Sequence, residues 1–143
     1  MYTIKMNQDK SLTRTVCATI YEGENLVDKI QFLIPETYDS VSLADFDVFL
    51  TMNYPDEEPC IRKLYKLEEQ RNKQGWMRYR IDVDQEITRM HGDVIVWLSF
   101  HNHEGRALQS GQAVLEISPK PFYNKPNPPE EDEPTGGIPV VIF

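Results

Sequence analysis

The chain is short of cysteine, of basic charge and of long apolar runs, and each shortage closes off a class of protein. Cys17 and Cys60 are its two cysteines in 143 residues. Two thiols are too few for the disulfide framework of a small secreted domain. In a reducing cytoplasm both are expected to be buried, because a free thiol behaves as a small apolar group. No stretch of about 18 apolar residues exists, so no transmembrane helix is expected. The opening Met1-Tyr2-Thr3-Ile4-Lys5-Met6-Asn7-Gln8-Asp9-Lys10 lacks the apolar centre of a signal peptide. The net charge is -8 and the pI about 4.8, which argues against a general basic surface that would displace counterions from nucleic acid. Neither nucleic acid nor a membrane is therefore expected as a partner.

Catalytic motifs are missing as well. There is no Gly-x-Ser-x-Gly elbow and no Gly-rich phosphate loop. Ser110-Gly111 has no patterned base nearby. Asp82-Val83-Asp84 would put two carboxylates on one side of an extended chain, which is ordinary for charges at a strand end. His101-Asn102-His103-Glu104 is the nearest approach to a metal site: on a strand the two imidazoles share a side, and Glu104 adds an oxygen. No third ligand stands at a telling distance, since His91 is ten residues away. The segment is expected to be a polar hairpin tip. No catalytic, cofactor or metal residue is assigned, and the chain is expected not to be an enzyme.

Helical periodicity is almost absent too; Asp84 to Met90 is the one candidate helical turn, with Asp84 as its cap and Ile87 and Met90 on one face. What the chain has is alternation. Residues 1–8 form a candidate edge strand. In residues 11–21, Leu12, Val16, Ala18 and Ile20 share a face with Arg14, and Thr13, Thr15, Cys17, Thr19 and Tyr21 share the other. After the turn Glu22-Gly23-Glu24-Asn25, Ile30, Phe32 and Ile34 alternate up to Pro35, and the two segments are expected to pair as a hairpin. Residues 43–54 place Phe46, Val48, Leu50, Met52 and Tyr54 on one face. Residues 60–67 follow, rich in Lys and Arg. The polar stretch 68–75 fits a prolonged strand, a helical turn or a loose loop. Residues 76–83 put Met77, Tyr79, Ile81 and Val83 opposite Trp76, Arg78, Arg80 and Asp82. Residues 92–100, Gly-Asp-Val-Ile-Val-Trp-Leu-Ser-Phe, are the strongest strand signal. Val94, Val96, Leu98 and Phe100 would face the core. Ile95 and Trp97 are a surplus on the second face, which calls for a cover. The last core strand is residues 112–118, with Ala113, Leu115 and Ile117 inward.

At 143 residues and 40% hydrophobic content the chain supports one core without staples. Seven or eight strands with no room for crossover helices predict an all-β fold, an antiparallel β-sandwich of immunoglobulin-like or jelly-roll type with an extended C-terminal arm. Residues 1–118 are the expected sandwich. Residues 119–135 hold Pro119, Pro121, Pro126, Pro128, Pro129 and Pro134 together with Glu130-Glu131-Asp132-Glu133, the composition of an extended linker. Residues 136–143 end in Ile138, Pro139, Val140, Val141, Ile142 and Phe143, an apolar peptide that would be an aggregation hazard if left in water. It can fold back as a last strand, dock on another chain by strand addition, or stay disordered. Ile95, Trp97, Ile138, Val140, Val141, Ile142 and Phe143 are the expected partner-binding residues. Trp76, Tyr79, Trp97, Tyr21, Phe49 and Tyr65 can fill the core, meet another subunit, or build a sugar-stacking platform.

Three phrases carry a family resemblance: residues 1–12, Lys29-Ile30-Gln31-Phe32-Leu33-Ile34-Pro35, and Arg78-Tyr79-Arg80-Ile81-Asp82 followed by Ile87-Thr88 and residues 92–100. Over roughly residues 1–118 the chain resembles small virion structural proteins of tailed phages and prophages of Gram-positive bacteria, and the N-terminal β-sandwich domain of phage baseplate upper proteins. It departs from the latter after residue 118, where those proteins continue toward receptor-binding parts. The resemblance implies a structural protein of the virion, made in the bacterial host cytoplasm, whose partners are other capsid or tail proteins and copies of itself. Capsid decoration, fibre anchoring and a baseplate or tail position all fit. The alternative is a carbohydrate-binding sandwich that attaches to a host-surface glycan.

Overall fold

A computed structural model describes residues 1–67 and 75–121 of the chain. Among these residues there is no helix, and the fold is an all-β sandwich. Its five-stranded sheet is built from β1 (Tyr2–Met6), β2 (Leu12–Val16), β4 (Lys29–Pro35), β9 (Tyr65–Lys66) and β10 (Trp76–Asp82), in the order β2-β1-β4-β10-β9. The six-stranded sheet holds β3 (Ile20–Tyr21), β7 (Asp47–Asn53), β8 (Pro59–Lys63), β11 (Gly92–His101) and β13 (Ala113–Ser118) in the order β3-β13-β11-β7-β8, with β12 (Ala107–Gln109) also paired to β11. A small ribbon, β5 (Thr37–Tyr38) with β6 (Val41–Ser42), lies between β4 and β7 in sequence.

Alternation places the core. Ile4, Met6, Ile30, Phe32, Ile34, Met77, Tyr79 and Ile81 come inward from the first sheet, all buried. Val48, Leu50, Met52, Val94, Val96, Leu98, Phe100, Leu115 and Ile117 meet them from the second. Each such aliphatic side chain contributes about 1.5–3 kcal/mol when fully buried. β11 lies between β13 and β7 and is the centre of its sheet. Gly92 opens it for a steric reason: its φ is +127, and a Cβ there would stand 2.9 Å from Cγ of Pro55.

Two chain segments switch sheets, and both lie at the sandwich edges. Residues 11–21 give β2 to one sheet and β3 to the other, crossing at residues 17–19. Residues 59–66 give β8 to one and β9 to the other, pivoting on Leu64, whose amide donates to Val48 O at 2.9 Å and whose side chain is buried. β2 and β3 close one side of the sandwich, β8 and β9 the opposite side. Such corners are how a sandwich turns a strand from one layer to the next.

This switching corrects several expectations. Residues 11–21 do not form one two-faced strand, so Val16, expected to share a face with Ile20, is 49% exposed while Ile20 is buried. Cys17 lies on the crossover and is exposed, whereas Cys60 is buried as expected. Residues 11–21 and 30–34 do not pair as a hairpin. A turn at residues 7–11, in which Asn7 N donates to Ser11 O and Lys10 N to Asn7 O, folds β2 back on β1 instead. β1 then inserts between β2 and β4 and is interior, not an edge. It runs parallel to β4 with Tyr2 beside Ile30 and Ile4 beside Phe32, a register that puts both apolar sets into the core. β13 and β3 also pair in parallel, so the sheets are mixed and not wholly antiparallel. The expected strand over residues 43–54 begins at Asp47, although Leu43 and Phe46 are buried ahead of it.

Candidate partner-binding faces

Each sheet turns one face to the core and one outward, and the outward faces differ in chemistry. On the six-stranded sheet the pairing sets the rows. Val114, Ile95, Asn53 and Pro59 lie side by side across β13, β11, β7 and β8. Trp97, Thr51 and Ile61 form the next row, and Gln109, Ser99, Phe49 and Lys63 the one after. The centre is neutral and apolar. Ile61 is 60% exposed and Val114 37%, while Ile95, Trp97 and Phe49 are half-buried by their neighbours. Charge lies at the ends of the face: Asp93 opposite Glu116 at one, and Lys63 paired with Asp47 at 3.4 Å at the other. Ile95 and Trp97 therefore stand in the middle of this face. Ile138, Val140, Val141, Ile142 and Phe143, with the linker and anchor segments at 122–143, lie outside the described residues, as does most of the polar stretch 68–75.

On the five-stranded sheet the outward positions are Thr3, Lys5, Gln31, Leu33, Trp76, Arg78, Arg80 and Tyr65, with Lys29 and Asp82 at one end. This face is basic. The six aromatics named as a sugar platform are divided by the sandwich. Tyr79 is in the core, Trp76 and Tyr65 lie on the basic face, Phe49 and Trp97 lie on the apolar face, and Tyr21 sits in β3 at the edge. Trp76 and Trp97 are on opposite outer surfaces.

The polar clusters are structural. A turn at residues 84–88 joins β10 to the segment before β11. Asp84 Oδ1 accepts from the amides of Glu86 and Ile87, both at 3.1 Å, and Thr88 N donates to Asp84 O at 3.1 Å. The expected cap is present, on one helical turn. Arg62 clamps this turn to β8, donating to Asp84 at 2.7 Å and Glu86 at 2.6 Å. Partial burial pushes the Asp84 carboxyl up, but the bonds from Arg62 and the turn amides outweigh it and hold it below its ordinary value. Arg89 reaches the other way, donating to Asp56 at 2.7 Å and lying 4.2 Å over the Tyr54 ring. Its hydrogen bond holds the Asp56 carboxyl at about 2. Tyr54 donates its hydroxyl to Ile87 O at 2.5 Å, and burial raises its phenol far above the ordinary range. No sequence pattern announces this network, because its members come from three separate segments.

The other chemical candidates are dispersed. Asp82 faces Lys29 at 3.9 Å, while Asp84 is committed to the turn. His101 stacks edge-on against Phe49, with centroids 6.0 Å apart, and Asn102 organises the tip by accepting from the amides of Glu104 and Arg106. His91 stands beside Glu22 at 3.2 Å, remote in role from that tip. Among the described residues no three His, Cys, Asp or Glu side chains gather as a metal site. Burial pushes the Cys60 thiol up, away from nucleophilic use.

No family model and no curated protein matches the chain. Among solved structures, the N-terminal domain of phage TP901-1 ORF48 is similar at 12% identity over 84% of this chain and 98% of that chain, with a TM-score of 0.48.

Proposed function

We propose that this chain is a non-enzymatic structural protein of a tailed-phage particle, joined to a neighbouring virion protein through the outer face of its six-stranded sheet. The observation that carries the reading is the apolar stripe of Val114, Ile95, Trp97, Phe49 and Ile61 across four strands, flanked among the described residues by Lys63 beside Phe49 at one end and Asp93 with Glu116 at the other. An apolar centre with a charged rim is the anatomy of a protein interface. The resemblance of residues 1–118 to virion proteins supplies the particle as the setting. Capsid decoration, fibre anchoring and a baseplate or tail position are the finer roles within it, and residues 136–143 offer a second point of attachment by strand addition.

The occupant of the stripe is a neighbour presenting an equally apolar face, and charge on the stripe should exclude it. Ile95→Lys and Ile61→Lys change outward positions and leave the core alone. Both variants are expected to unfold near the wild-type temperature and to be lost from particles assembled in their presence, as read by co-sedimentation. Full occupancy of particles by the folded Ile95→Lys protein would defeat the proposal.

A further inference from the structure

The chain carries net charge -8, yet the outer face of its five-stranded sheet is basic. Thr3, Gln31, Arg80 and Tyr65 lie side by side across β1, β4, β10 and β9, and Lys5, Leu33 and Arg78 form the adjacent row. Trp76 stands two residues before Arg78, with Lys5 Nζ 4.7 Å from its ring centroid. Gln31 ties the rows together, accepting from Arg78 Nε at 3.2 Å and donating to Thr3 Oγ1 at 3.4 Å. Asp82, the acid of this face among the described residues, is matched by Lys29. Among the described residues neither Lys5 nor Arg80 forms an ion pair. The face thus offers Lys5 and Arg80 between two aromatic side chains, Trp76 half-buried and Tyr65 67% exposed.

We propose that this face binds the acidic, proline-flanked segment 128–134 of its own chain, Pro-Pro-Glu-Glu-Asp-Glu-Pro. Two complementarities select that occupant. Its four consecutive carboxylates match the cations in sign. They match in scale as well: alternate residues of a strand are about 7 Å apart and β1 lies about 10 Å from β10, close to the roughly 9 Å spanned by four extended residues. Its flanking prolines suit the aromatic walls, since proline-rich segments dock on aromatic surfaces with little ordering entropy to lose. The reach is sufficient. β13 ends at Ser118 beside β3 and touches β2 at the sandwich edge, and β2 borders the basic face. The nine residues 122–130 can cover roughly 28 Å at about 3.1 Å each, against about 10 Å between the sheets plus about 10 Å from β2 across to β4 between the cations. Exposed ion pairs are individually weak, about 0–1 kcal/mol. A tether supplies an effective concentration in the millimolar range, so weak contacts suffice within one chain. The inference stands apart from the virion reading and from the apolar face.

The test uses the full-length chain and the indole resonance of Trp76, with the amide of Arg80 as a second probe. In the variant E130Q/E131Q/D132N/E133Q the sandwich sequence is untouched, so its folding is not in question. At about 50 mM salt both resonances are expected to differ between wild type and variant. The difference should vanish near 1 M salt, where the screening length is about 3 Å, and should persist on dilution. Arg80→Glu in the wild-type tail should shift the Trp76 resonance toward its position in the neutralised variant. Identical spectra at low salt would overturn the proposal. A difference that disappears on dilution, together with a dimer in sedimentation, would overturn it in favour of a second copy.

Discussion

Tyr54 shows how much one side chain decides here. It closes the strand β7, sends its hydroxyl to Ile87 O at 2.5 Å and carries the Arg89 guanidinium on its ring. Removing the hydroxyl leaves a buried carbonyl without its donor, so Tyr54→Phe is expected to cost about 1–3 kcal/mol in urea unfolding, without change in the secondary structure. Asp56, two residues on, sets a pH dependence. Its carboxyl is held at about 2, below the ordinary 3.8, chiefly by the hydrogen bond from Arg89. A depressed acid contributes stability above its unfolded value and loses it as pH falls through the folded one. The thermal midpoint should therefore fall as pH drops from about 4 toward 2. Asp56→Asn should unfold lower at neutral pH, show a flatter acid limb and converge with wild type near pH 2. Glu24 acts in the opposite sense: a hydrogen bond shared with Asp28 raises its carboxyl, and its contribution is lost as pH rises.

At the scale of elements, the interior strands and the edge segments obey different rules. β11 and β10 are legible from alternation alone: Val94, Val96, Leu98 and Phe100, like Met77, Tyr79 and Ile81, are buried where the pattern puts them. The edge segments are not, because β2 with β3, and β8 with β9, divide continuous stretches of chain between two sheets. Period-two patterning reports which residues share a face only while the chain stays in one sheet. Leu64 is the hinge of the second switch, buried between two exposed neighbours. Leu64→Ala is expected to cost about 2–5 kcal/mol, whereas Ile61→Ala, on the outer face of the same segment, should stay within about 0.5 kcal/mol. Urea unfolding of the two variants side by side checks the contrast.

At the scale of the whole molecule, the sandwich separates two surfaces that the sequence interleaves. Ile95 and Trp97 stand out in the sequence as surplus apolar residues of one strand. Their companions Ile61, Phe49 and Val114 do not, since they come from other strands and meet only through register. The basic face is still less legible. Lys5, Arg78 and Arg80 are far apart in a chain whose total charge is negative, and β1 and β10 come onto one face because β4 pairs with both. One face is therefore neutral and apolar at its centre, and the other is cationic and aromatic.

The two-faced strand at residues 92–100, the inward set of each long strand, the cap at Asp84 and the shift to proline and acid after residue 118 are set by the order of amino acids alone. Each is a local property: side-chain period, turn chemistry or composition. The parallel pairing of β1 with β4, the two sheet-switching corners, the exposure of Cys17 and the chemistry of the outer faces arise only in the folded sandwich. Each depends on which strand edge meets which, and that is settled by burying the inward apolar faces of all the strands at once.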